Sequence, residues 1–311
     1  MSNVQRKAGS VQRMALVGLV AAGCVGGAGS DRPQVGVTLL TEAHVFYQDL
    51  KRGMQQAAES LGVDLHIVAG EWDLARQTAQ VQNFITRRMD AIVIAPVNSS
   101  GIVSAVEEAA GAGIPVFTAD IAAAGGPVVS HIASDNRQGG RLLGEYLASR
   151  LSGRGNIAIL DQPTVSSVQD RVAGFREALE AYPAMRVVAA PAVERGLRDV
   201  AKQKTDNLLA GATRIDAIFG SNDDCALGAL AAVQAAGRGD MLIVGYDATP
   251  EARTAIASGT ALVADAVQDP AAIGRRTVES VATYLGGTPL QVRVAVPVSI
   301  VTRDSLAVSP S

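Results

Sequence analysis

An α/β fold built as two Rossmann-like lobes with parallel-rich sheets is what this chain predicts, on three observations. From Gln34 onward, short β-branched runs alternate with amphipathic stretches of helical length, the pattern of βαβ units. The pattern runs through about five strands and then restarts. The length of 311 residues, 48% of them hydrophobic and 18% charged, suits about two domains, each with a sizeable core.

The first set of strands is expected at 34–40, 64–69, 91–95, 115–119 and 128–132, with helices over 46–61, 74–88 and 101–112, where apolar residues recur at three-to-four spacing. The second set is expected at 156–160, 186–190, 216–219 and 241–245, with helices near 137–151, 166–181, 198–210 and 225–236. A run at 262–267, a helix near 270–285 and a final run at 293–301 remain to be placed, so the chain should cross between lobes more than once. The expected division is a leader and linker over 1–30, one lobe from 31–134 plus 269–297, and the other from 135–268 plus 298–311. Several crossing strands make a hinge, which suits lobes that close on a ligand.

Charge and composition exclude several functions. A formal charge of −3 leaves no basic stripe for a phosphate backbone, and one tryptophan, five tyrosines and five phenylalanines are too dispersed for a base-stacking platform, so nucleic acid is not expected as a partner. Thirty-two scattered glycines fit tight strand-to-helix turns rather than a low-complexity segment. Near the start, Arg6, Lys7 and Arg13 precede the apolar run Met14 to Ala22, with no acid before Asp31, which is the plan of a secretory leader. That run is shorter than the roughly 20 residues of a permanent bilayer span. Ala21-Ala22-Gly23-Cys24 resembles a bacterial lipobox and implies lipidation at Cys24, with cleavage near Ser30 as the alternative. Past the leader only Cys225 remains, so no structural disulfide is expected, and Cys225 reads as a small packed residue.

In open α/β sheets ligands sit beyond the carboxyl ends of the strands. Those positions hold His44, Phe46 and Tyr47 after the first strand, Asp120 after the fourth, Ser134, Asp135 and Asn136 after the fifth, Asn222, Asp223 and Asp224 in the second half, and then Asp247. Carboxylates, amides and flanking aromatics suit a sugar or polyol, whose hydroxyls both donate and accept beside C–H faces. Asp120, Asp247, Asn222 and Gln268 are candidates for its hydroxyls, and Phe46 or Tyr47 for its apolar face. Each residue also has a plainer reading. Asp135, Asp223 and Asp224 fit helix caps or solvent-exposed acids better, Asp120 and Asp247 divide evenly between cap and contact, and Phe46 and Tyr47 suit core or staple positions. Trp72 reads as a loop or surface packing residue, and His66 as a buried strand residue.

His44, His66 and His131 are far apart and lack metal-ligand spacing, so no metal or cofactor is expected. The sequence has no GxSxG elbow, phosphate loop or dinucleotide fingerprint. No catalytic residue is assigned.

Three segments carry a resemblance over about Gln34 to Arg303: residues 129–136 (VSHIASDN), 221–230 (SNDDCALGAL) and 244–250 (VGYDATP). They are similar to the periplasmic sugar-binding proteins of the ribose-binding type, whose relatives include sugar-responsive repressor cores. The resemblance implies a type I periplasmic binding protein fold, a two-lobed, monomeric receptor of an ABC importer, and a membrane permease as its partner. It implies that Phe46 and Tyr47 flank the sugar and that Asp120, Arg171, Asn222, Asp247 and Gln268 bind its hydroxyls. The chain departs from the ribose binders at His44 and Ala95, where they have asparagine, at Ile121, where they have arginine, and near Gly196, where a stacking phenylalanine falls. Those losses argue against ribose and for an acyclic polyol, a differently configured pentose or hexose, or another small hydroxylated ligand. A repressor would carry a helix-turn-helix where this chain has its leader. A sugar-processing enzyme is the remaining alternative, with Asp120 and Asp247 as its acid/base pair.

Overall fold

A computed structural model describes residues 32–308 together with Met1. The leader, Cys24 and Ser30 lie outside the described residues.

The first sheet takes β1 (Gln34–Leu39), β2 (Asp64–Ala69), β3 (Ala91–Ile94), β4 (Val116–Ala119) and β5 (Val128–Ser134), joined by α1 (Val45–Leu61), α2 (Leu74–Thr86) and α3 (Val103–Gly111). After α4 (Asn136–Arg150) the second takes β6 (Arg154–Leu160), β7 (Ala184–Ala189), β8 (Ala217–Gly220), β9 (Leu242–Asp247) and β10 (Leu262–Val267), joined by α5 (Ser166–Leu179), α6 (Arg198–Ala210), α7 (Asp223–Ala235) and α8 (Pro250–Ala257). The chain ends with α9 (Pro270–Leu285), β11 (Arg293–Val296), β12 (Ser299–Thr302) and α10 (Arg303–Val308).

The sheet orders are β11-β5-β4-β3-β1-β2 and β12-β10-β9-β8-β6-β7. Every pairing is parallel except β10 with β12. Runs such as Ala91–Ile94 and Ala217–Gly220 are buried throughout, as strands covered by helices on both faces must be.

The run expected at 293–301 is two strands in different sheets. Pro297 lies between them, and proline has no N–H to donate to a ladder. The chain therefore passes between sheets three times among the described residues: from β5 into α4, from β10 into α9, and from β11 to β12. Helix α8 is absent from the sequence-based assignment, although Thr249 and Pro250 form a standard start: the Thr249 side chain caps the helix and proline takes its first turn. His66 is half-buried rather than buried, because β2 is an edge strand, and its Nε2 meets Gln34 Oε1 at 2.8 Å.

Helices α4 and α5 meet through glycines. A Cβ at Gly140 would lie 1.9 Å from the Arg171 carbonyl oxygen, and one at Gly174 equally close to that of Arg137. Ordinary side chains there would push α5 away from α4 and carry Arg171 with it. Behind the helices, Phe175 stacks on Phe219 at 4.6 Å in a core of fully buried Ile157, Ile159 and Val244.

Candidate functional site

In each sheet one strand has the next strand in sequence on one side and a later one on the other: β1 between β2 and β3, and β6 between β7 and β8. Ligands collect at the carboxyl ends of such switch strands. A cavity of about 180 Å³ opens there, walled by residues from both sheets. Residues His44, Phe46, Tyr47, Asp120 and Ile121 line it from the first, and Arg171, Asn222, Asp247 and Gln268 from the second.

Two expected site residues are not in its wall. Ala95 continues the β1 ladder by donating its N–H to the Thr38 carbonyl, and its own carbonyl accepts from Gln77 Nε2 at 3.0 Å, which holds it in the packed interior. Ser134 is the last residue of β5, paired in register with Val296, and is buried there.

Tyr47 sits in the first turn of α1, which His44 caps by accepting the Phe46 N–H on Nδ1. The Tyr47 hydroxyl donates to Asp120 Oδ2 at 2.7 Å, and both side chains are buried. Burial pushes the Asp120 carboxyl up to about 6, although Arg171 and the Tyr47 bond pull it down. Its Oδ1 has no donor among the described residues.

Arg171 is 5% exposed and held on three sides. Its Nε donates to Asn136 Oδ1 at 2.9 Å, one terminal nitrogen donates to the Ser221 carbonyl at 2.8 Å, and the guanidinium lies 3.8 Å from the Tyr246 ring centroid. The same terminal nitrogen is 3.7 Å from Asp247 Oδ1, which also accepts from Gln268 Nε2 at 2.6 Å. Burial raises the Asp247 carboxyl, against the pull of Arg171, His44 and Gln268. The Gln268 Oε1 atom is buried without a donor among the described residues. Asn222 both caps α7, accepting from the Cys225 N–H at 2.8 Å, and lines the cavity.

Sequence reasoning did not assign the other walls. Trp72 lines the cavity rather than the surface, and so do Gln162, Arg195 and Leu197. Asp224 lines it too, bound to Arg198 at 3.0 Å and 3.9 Å from His44 Nε2 across the cleft. Trp72, Asp120, Arg195 and Asp247 all have positive φ, at 63°, 63°, 55° and 124°. Backbone strain of this kind collects at ligand clamps, and it supplies a structural signal that the sequence lacked. Gly196 leaves no room for a side chain, since a Cβ would stand 2.5 Å from Gln162 Nε2 and 2.6 Å from Asn222 Nδ2.

One plainer reading fails as well. Asp135 caps α4 as expected, accepting from the Gln138 N–H, but Asp223 is 2% exposed and is neither a cap nor a solvent-facing acid. His131 is half-buried, with a ring nitrogen 2.9 Å from Thr118 Oγ1, and the loss of solvent there takes it down to about 4. Among the described residues no cluster of His, Cys, Asp and Glu converges to hold a metal ion.

A family model for the periplasmic binding protein domain matches residues 35–289. The chain belongs to the periplasmic binding protein family. This periplasmic binding protein is 32% identical over 303 residues to the ribose import binding protein of Escherichia coli K12, covering 97% of this chain and all of that one. It is 31% identical over 262 residues to the xylitol-binding protein of Mycolicibacterium smegmatis, covering 83% and 74%. A solved ABC transporter solute binding protein from Bacillus halodurans C-125 with bound myo-inositol superposes with a TM-score of 0.83, 28% identity and coverage of 90% and 97%. The family consists of substrate-binding components of ABC importers, not enzymes, and membership implies an exported, periplasmic location.

Proposed function

We propose that this protein captures a small uncharged polyol in the cleft between its sheets and presents it to an ABC permease, acting as a monomer held at the outer face of the membrane through Cys24. The observation that carries the reading is a pair of buried acceptors, Asp120 Oδ1 and Gln268 Oε1, which belong to residues lining a ligand-sized cavity and have no donor among the described residues. Hydroxyl groups supply such donors without adding charge. Charge-assisted bonds to Asp120, Asp247 and Arg171 then fix orientation, while Phe46, Trp72, Ile121 and Leu197 cover C–H faces.

Closure brings the lobe of residues 31–134 plus 269–297 onto that of 135–268 plus 298–311. Relatives that bind ribose, xylitol and myo-inositol mark the chemical range. Within it Ile121 favours a linear polyol over ribose, because an isoleucine donates nothing to a ring hydroxyl.

Thermal unfolding of residues 30–311 against linear tetritols, pentitols, pentoses and hexoses tests this. A ligand at a hundredfold excess over its Kd stabilises the folded state by about 2.7 kcal/mol. The largest shift is expected from a linear polyol and should vanish in Asp247→Ala; ribose binding tighter than every pentitol and tetritol would sink the choice of ligand. Radiolabelled fatty acid incorporated by the full chain and lost in Cys24→Ser tests the anchor.

A further inference from the structure

Behind the cleft, two more carboxyl groups are packed against the turn that carries Asp247. Asp265 of β10 is fully buried, and Asp223 in the first turn of α7 nearly so. Asp265 Oδ1 accepts the Ala248 N–H at 3.1 Å, and Asp223 Oδ2 accepts the Thr249 N–H at 2.6 Å. The turn they grip is strained, with Asp247 at φ 124° and Ala248 at φ 55°. The second oxygens, Asp223 Oδ1 and Asp265 Oδ2, have no donor among the described residues, and the two carboxyl groups, which grip adjacent amides of one turn, lie close enough for each to shift the other's charge. Gly245, the register partner of Asp265 in β9, makes room for this arrangement, since a Cβ there would lie 2.5 Å from Asp265 Oδ2.

Two carboxylates cannot both stay ionised in contact in a dry interior, whereas one proton between them satisfies both orphaned oxygens. We propose that Asp223 and Asp265 share a single proton and work as one clamp on residues 247–249, making them positioning residues that aim the Asp247 carboxyl into the cleft. Burial and the neighbouring Asp223 push Asp265 well above the usual carboxylate range, in agreement with a proton held there. The groups facing the pair are Asp247, with Arg171 and His44 beyond it. Arg253 of α8 bonds the Ala248 carbonyl at 2.8 Å, Asp224 turns away to Arg198, and β12 places Val301 beside Asp265. Among the described residues no cationic side chain pairs with Asp223 or Asp265 to replace the proton.

The test separates the clamp from the ligand reading on which its purpose rests. In Asp265→Asn the amide oxygen can keep the Ala248 bond while the NH₂ donates permanently to Asp223; Asp265→Leu removes both. Without ligand, exchange of the Ala248 and Thr249 amides should be about tenfold or more faster in Asp265→Leu and near the native rate in Asp265→Asn. An acid whose folded pKa is raised gives stability that is present below its unfolded pKa and lost as pH rises. The native unfolding midpoint should therefore fall relative to Asp265→Asn from about pH 4 upward. Parallel pH profiles of the native protein and Asp265→Asn overturn the shared proton, and unchanged exchange in Asp265→Leu overturns the clamp. If Asp265→Leu does not fold, exchange in Asp265→Asn carries the second arm: fast exchange there overturns the clamp. Xylitol as probe should bind Asp265→Asn within about twofold of native and Asp265→Leu about tenfold more weakly. If no polyol or sugar binds the native protein, the ligand reading fails while the exchange and pH arms still decide the pair.

Discussion

Tyr47 donates its hydroxyl proton to Asp120 Oδ2 at 2.7 Å, and the bond leaves Oδ1 as the carboxylate oxygen without a donor among the described residues. Both side chains are buried, so the carboxyl sits near 6 instead of in the ordinary range. A polyol hydroxyl donating to Oδ1 favours the ionised form. Binding should therefore release a proton near pH 6, and affinity should rise as pH climbs from about 5 to 7. Titration calorimetry in two buffers of different ionisation enthalpy measures the release directly. In Asp120→Asn, proton release and its pH dependence should both disappear; their persistence would assign the titration to another group.

The three-sided seat of Arg171 predicts that Arg171→Lys is far from conservative. Lysine keeps the charge but cannot hold Asn136 Oδ1 and the Ser221 carbonyl together while stacking on Tyr246. Breaking a buried, hydrogen-bonded charge network of this kind costs about 3 kcal/mol. Urea unfolding should show a loss of that order along with the loss of polyol binding. A variant as stable as the native protein would mean that the guanidinium seat is dispensable.

Gly140 offers a packing test of the same residue from behind. Gly140→Ala places a methyl against the Arg171 carbonyl of α5 and should destabilise by about 1 to 3 kcal/mol, with weaker binding although no cavity side chain has changed. Calorimetric melting and ligand titration of the one variant report both effects. Unchanged binding in a destabilised protein would show that α5 moves without disturbing the cleft.

How much of this was legible in sequence depends on whether a residue acts through its neighbours in the chain. Helix α6 and strand β10 match their expected bounds because apolar spacing and flanking breakers are local properties. Asp135 as a cap was legible for the same reason. The carry-over by resemblance reached Arg171, which spacing alone would leave as a solvent-facing helix charge. Trp72, Gln162 and Arg195 escaped both routes. Their places depend on left-handed backbone and on loops from different strands converging, and neither is written in local periodicity. Asp223 was misread because capping chemistry and an acid pair start from the same residue type after a strand. Only its partner Asp265, 42 positions along the chain, tells them apart.

Closure itself can be weighed at Ser166, which touches the cavity only through its neighbours. Its Oγ accepts the Ala122 N–H at 2.9 Å and donates to the Ala122 carbonyl at 3.2 Å, while its N–H donates to Ser99 Oγ at 3.1 Å. The Ser99 N–H reaches the Thr164 carbonyl at 3.4 Å. These bonds join the loops after β3 and β4 to the loop and helix after β6, so they exist only while the lobes are together. Ser166→Ala removes the Oγ bonds and leaves Asp120, Arg171, Asp247 and Gln268 intact. Each of the two lost bonds is worth about 1 kcal/mol of the closed state, so affinity should fall roughly thirtyfold. The loss should appear as faster dissociation with little change in association, because open lobes are met first and closure follows. Stopped-flow measurement of both rates checks it. A fall confined to the association rate would place the serine on the encounter path and not in the latch.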